Sequence, residues 1–168
     1  MKKPAVVGIV LLAGFILSSI PGARAADAEK QVRELISRWE KAFRAKDTDA
    51  VMAVYAPGDQ LIAFDIVPPL ACVGHDAYRK NYEAFFAMYE GPLDTEIRDL
   101  KVAASGDVAF ITCLERLSGT VKGGQKLTQW VRVTSGLRKI GGHWLIVHDH
   151  ISVPVDFEHG KALTDLVP

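Results

Sequence analysis

Cysteine is scarce in this chain, with two of 168 residues, Cys72 and Cys113. Neither stands in metal-ligand spacing, which excludes a structural zinc site built on thiolates. Each lies in an apolar run, Leu70-Ala71-Cys72-Val73 and Ile111-Thr112-Cys113-Leu114. Buried free thiols suit that context, and a disulfide between the two stays open until their separation is known. Runs of like charge are also missing, and acids and bases balance at twenty each. Without a concentrated basic field the chain does not read as a nucleic-acid binder. Nor does any stretch form a charged tail or a membrane-surface helix. A Gly-rich phosphate loop, a nucleophile elbow, a Cys–His dyad motif, internal repeats and low-complexity segments are absent as well. No metal and no cofactor are expected.

What the sequence does contain begins at its N-terminus. Lys2 and Lys3 precede an apolar, uncharged run from Ala5 to Ile20, followed by the helix breakers Pro21-Gly22 and the small-x-small triplet Ala23-Arg24-Ala25. That order is a secretion signal, expected as residues 1–25 and cut after Ala25, with a retained membrane anchor as the alternative. The cut removes Lys2, Lys3 and Arg24 and no acid, so the mature chain carries a net charge of about −3 at neutral pH. Export predicts a periplasmic or secreted protein in an oxidising compartment, with no membrane contact after cleavage. Residues 26–168 form one domain.

Hydrophobic spacing then sets the order of elements. Asp27 to Lys46 reads as an amphipathic helix with Val32, Leu35, Ile36, Trp39, Ala42 and Phe43 on one face. Asp47 supplies cap chemistry for a short second helix carrying Val51, Met52, Val54 and Tyr55. Leu61 to Asp65 and Leu70 to Val73 read as two short strands around Pro68-Pro69. Asp76 to Tyr89 reads as a third helix with the aromatic stripe Tyr78, Tyr82, Phe85, Phe86 and Tyr89, stopped by Gly91-Pro92. Four long strands follow, at 95–103, 108–120, 126–140 and 144–153, separated by Gly-rich turns. Three helices packed on such a meander predict a two-layer α+β domain.

Three stretches carry a resemblance: Trp39-Glu40-Lys41-Ala42-Phe43-Arg44-Ala45-Lys46-Asp47, Phe64-Asp65 with Gly74 nine residues on, and Gly142 to Ser152 with its core Leu145-Ile146-Val147-His148-Asp149-His150. Together they resemble the nuclear transport factor 2-like superfamily, in particular SnoaL-like and ketosteroid-isomerase-like proteins and the calcium/calmodulin-dependent kinase II association domain. The resemblance implies a cone-shaped α+β barrel, three N-terminal helices packed into a curved, mainly antiparallel sheet, with a pocket between them. It also implies that Asp65 occupies the position of the isomerase base. Trp39 and Ser135 stand where that enzyme keeps its two acidic oxyanion donors, a tyrosine and a protonated aspartate. Steroid-type isomerisation is therefore not expected.

The remaining site residues follow from that pocket and from strand alternation. On the last strand, Leu145, Val147, Asp149 and Ile151 face the cavity, which makes Asp149 a second pocket carboxylate beside Asp65. Trp144, Ile146, His148, His150 and Ser152 face the convex side. Ile111, Cys113 and Glu115 point inward on the second long strand, and Trp39, Tyr78, Tyr82 and Phe86 position the ligand from the helices. Asp65 sits in an apolar run, Leu61 to Val67. It is a general base with a raised pKa or a structural carboxylate at the bend before Pro68. The His148-x-His150 pair offers two metal ligands without a third and reads instead, with Trp130 and Arg132, as a homodimer face. Two readings result. One is an exported acid–base enzyme, isomerase or lyase/hydratase, on a small apolar molecule, with Asp65 as base and Asp149 as second group. The other is a non-catalytic ligand-binding or dimeric assembly module.

Overall fold

The computed structural model describes residues 21–168, so the basic and apolar parts of the expected signal lie outside the described residues. Helix α1 runs over Pro21–Arg44 and buries Val32, Leu35, Ile36, Trp39, Ala42 and Phe43 along one stripe, as their spacing requires. The helix starts earlier than the expected Asp27 and includes Pro21 and Gly22. These two are its first described residues, and what precedes them lies outside the described residues. No helix among the described residues is long and apolar enough to cross a membrane.

The turn out of α1 places Lys46 at φ 53°, and the Asp47 side chain accepts the Ala50 N–H at 3.0 Å, capping α2 at Thr48–Met52. Val54 and Tyr55, expected in that helix, lie beyond it. The backbone there hydrogen-bonds to Ile146 instead, through Ile146 N–H to Val54 and Ala56 N–H to Ile146. A strand edge needing partners has overridden local helical spacing.

Strands β1 (Ile62–Phe64) and β2 (Cys72–Val73) pair antiparallel. Gly74, at φ 93°, turns the chain into α3, His75–Ala87, in a conformation that side chains with a Cβ rarely adopt. The helix ends before the expected Tyr89, which begins β3, Tyr89–Ser105. Gly91-Pro92 thus lies inside a strand. The ladder tolerates it because the β3 register shifts between Glu90 and Asp94, leaving Pro92 without a bond to donate.

Strands β4 (Val108–Val121), β5 (Lys126–Ile140) and β6 (His143–Ser152) complete the meander. The sheet order is β2-β1-β6-β5-β4-β3, antiparallel except where β1 runs parallel to β6. A two-residue hairpin, β7 (Val155–Asp156) with β8 (Lys161–Ala162), follows; it is too short for any periodic signal. The helices fill the concave face, giving the cone-shaped α+β architecture.

Alternation on β6 is broken once. Gly136 pairs with His148 and Leu137 with Ile146, so Val147 is an extra residue at a bulge. Before it, Trp144 and Ile146 enter the core; after it, Asp149 does. The expectation that Trp144 and Ile146 lie on the convex face fails for that reason. On β4, unbroken alternation buries Ile111, Cys113 and Glu115 as expected. Cys72 and Cys113 are buried free thiols.

Candidate functional site

Two adjoining cavities lie between the helices and the sheet. The outer one opens to solvent, with about 560 Å³ of free space counted out to its mouth. Asp65 to Val67 border it, with Trp39, Phe43, Tyr78, Tyr82 and Phe85 from the helices and Glu115, Leu117, Gln129, Val131 and Ile151 from the sheet. The inner one, about 350 Å³, lies deeper and is lined by Tyr55, Cys113, Val133, Ser135, Ile146 and Asp149 among others. Trp39, Glu115 and Ile151 border both. No Lys, Arg or His lines either cavity among the described residues.

Asp65 borders the outer cavity and Asp149 the adjoining inner one. Asp65 leaves the end of β1 half-buried at the outer cavity. Its Oδ1 accepts the Ile66 N–H at 2.7 Å, and its Oδ2 takes the Tyr78 hydroxyl at 3.3 Å and the Asn81 amide at 3.5 Å. Burial raises its pKa, and these donors limit the rise. Asn81 had no signal of its own in the sequence, being a polar residue inside an aromatic stripe.

Asp149 is 4 % exposed, and both its oxygens are used. The Ser135 hydroxyl donates to Oδ1 at 2.7 Å and the Tyr55 hydroxyl to Oδ2 at 2.9 Å. Tyr55 and Tyr82 hydroxyls meet at 2.8 Å, and the Trp39 indole N–H donates to Tyr82 at 3.1 Å. An indole can only donate, and Tyr55 gives its proton to the carboxylate. Tyr82 must then donate to Tyr55, so the chain Trp39, Tyr82, Tyr55 points one way and ends on Asp149. Burial pushes Asp149 up to about 6 against the pull of these donors. Trp39 and Ser135 thus spend their hydrogen bonds inside the protein, not on a ligand. Tyr55 went unrecognised because its partner is 94 residues away.

Glu115 is the third carboxyl, 7 % exposed on the wall between the cavities. Thr95 Oγ1 donates to its Oε1 at 3.1 Å, and Oε2 has no partner among the described residues. Burial pushes Glu115 up to about 8, with the Asp149 and Asp65 charges adding to the rise. The shift favours its protonated form, which can donate a hydrogen bond. Cys113 borders only the inner cavity, and burial pushes its thiol up to about 12, which makes it a poor nucleophile. Phe86 borders neither cavity. It packs into the core against Phe43, Tyr82 and Phe85, and Phe85 takes the lining position one residue earlier on α3.

On the convex face, Arg132 and His150 are exposed and Trp130 and His148 half-buried. Arg98 lies 5.0 Å over the Trp130 ring. Phe64 meets the rings of His148 and His150 edge-on at 5.0 and 5.9 Å, and His148 Nδ1 lies 2.9 Å from the Ile62 carbonyl. No group of three metal-ligating side chains converges among the described residues.

A sequence profile of the SnoaL-like domain matches residues 32–156. The chain is similar to a nuclear transport factor 2-like protein of unknown function from Pseudomonas putida, with 36% identity and a TM-score of 0.78 over 86% of this chain and 99% of that one. A ketosteroid isomerase-like protein from Erwinia carotovora superposes with a TM-score of 0.63 at 25% identity, over 73% of this chain and 93% of the other. A putative calcium/calmodulin-dependent protein kinase II association domain from Xanthomonas campestris shares the fold at 21% identity, with a TM-score of 0.66 over 82% and 89% of the two chains. No curated protein matches the chain.

Proposed function

The chain belongs to the SnoaL-like domain family, and on that premise we propose that its outer cavity binds a small, largely apolar molecule and performs acid–base chemistry on it. The observation carrying this reading is a cavity of mostly apolar walls onto which two carboxyls of different character open. Asp65, whose carboxyl receives three donors that oppose the effect of burial, acts as the base. Glu115, with one donor and a raised pKa, keeps its proton. Pairs of titratable groups driven apart by their surroundings are the pattern that supports acid–base roles. Asp65 takes a proton from a carbon next to a carbonyl-type group. The Glu115 hydroxyl donates a hydrogen bond to the oxygen that gains charge, and keeps its proton. Asp65 then returns the proton to another carbon or to a leaving group, an isomerase or lyase outcome. The basic and apolar N-terminus supports action after export, in the periplasm or outside the cell.

A thermal-shift screen of small ring ketones and hydroxy ketones against residues 26–168 identifies the ligand, since selective binding raises apparent stability. For a compound that is turned over, Asp65→Asn is expected to lower kcat by about 100-fold or more while binding persists. Full turnover by that variant sinks Asp65 as the base.

A second reading rests on the convex face, where Phe64, at 41 % exposed, abuts His148 and His150, and which also carries Trp130 and Arg132. It is an assembly module that dimerises through this surface. Sedimentation at micromolar concentration should report a dimer; a monomer removes this reading.

A further inference from the structure

The wall between the cavities carries an arrangement that the base at Asp65 does not use. Glu115 faces both spaces, and the charged groups around it come from several elements. Asp149 on β6 borders the inner cavity and Asp65, after β1, the outer one; Glu40 on α1 is the third carboxylate acting on it. Cys113 precedes it on the same face of β4. The neighbouring cation, Arg44, is committed to Glu40, Asp94 and the Thr95 carbonyl.

Two buried carboxyls bordering one cation-free space cannot both ionise cheaply. Hydrogen bonds decide which keeps the charge. Asp149 receives Ser135 and Tyr55, and Tyr55 is backed by Tyr82 and Trp39. Glu115 receives Thr95 alone. The charge settles on Asp149 and the proton on Glu115. We propose that Asp149 is a positioning residue for the outer cavity. Burial disfavours a charge on Glu115, and the Asp149 charge, fixed in the inner cavity by Ser135 and Tyr55, reinforces the neutral form that donates a hydrogen bond from the shared wall to the ligand. The order of titration, Asp149 at about 6 and Glu115 at about 8, agrees with this. The inference rests on the outer cavity being the ligand site, but its test needs no ligand.

The test is an infrared titration of protonated carboxyl bands in the ligand-free protein, with Glu115→Gln identifying the Glu115 band. In the wild type that band should persist to about pH 8. In Asp149→Asn, isosteric but uncharged, the Glu115 proton affinity should fall by a few-fold, so the band disappears a few tenths of a pH unit lower. A Glu115 band that titrates in the usual carboxylate range, or does not move in Asp149→Asn, overturns the proposal. If Asp149→Asn does not fold, Ser135→Ala decides: losing one donor should move the Asp149 step upward, and an unmoved step overturns the proposal. A barren ligand screen alongside the expected titrations removes the ligand-site reading and leaves the coupling intact.

Discussion

The two cavities share Trp39, Glu115 and Ile151 but treat their carboxyls in opposite ways. In the inner cavity every polar atom of Asp149 is matched to a donor, and the donors form a directed chain reaching back to α1. In the outer cavity Asp65 holds looser contacts of 3.3 and 3.5 Å to side chains, and Glu115 leaves one oxygen unpaired. A saturated network stabilises the fold and has little left for a ligand. An unsaturated one costs stability and is free to bind. The difference shows a deeper carboxyl committed within the protein and shallower ones with hydrogen-bonding capacity left free.

The largest test of that contrast is the pH dependence of stability. The folded-state pKa of Glu115, about 8, lies above its usual 4.5, so the native state holds the extra proton. Stability must then fall as pH rises from about 4.5 to about 8, by at most roughly 4–5 kcal/mol from this group. Glu115→Gln should flatten that decline in urea titrations and be the more stable protein at pH 9; an equally steep decline would show that Glu115 is not held protonated. Next comes the donor chain. Tyr55→Phe strips one donor from the buried Asp149 and should lower stability by about 2–3 kcal/mol at pH 7. Smallest is Tyr78→Phe in the outer cavity, where a 3.3 Å bond to half-buried Asp65 predicts a loss under about 1 kcal/mol. Equal losses from the two tyrosines would erase the distinction between the cavities.

Much of this was legible in the residues. The stripe from Val32 to Phe43 buried as its spacing demanded, and β5 occupies the expected Lys126–Ile140. Asp65, Tyr78, Tyr82, Glu115 and Ile151 border the outer cavity, and Cys113, Ser135 and Asp149 the inner one. The failures have a common cause. Gly91-Pro92 entered a strand because a bulge removed the need for its N–H. Trp144 and Ile146 turned inward because Val147 bulges opposite a pair on β5. Phe86 gave way to Phe85 because Phe86 packs against Phe43 and Tyr82 in the core. Each outcome depends on a neighbour distant in sequence.

By itself, then, the sequence determined what alternation and spacing determine: the order of helices and strands, the inward face of β4 and the apolar faces that must meet. These are local properties, set by backbone geometry repeating every 2 or 3.6 residues. Tertiary structure alone decided that the pocket is two spaces, that Asp149 is paired with Tyr55 and Ser135, and that Glu115 stands on the wall between them. A carboxyl's charge depends on which donors and charges surround it in space, and those arrive from α1, α3 and the sheet only when the chain closes.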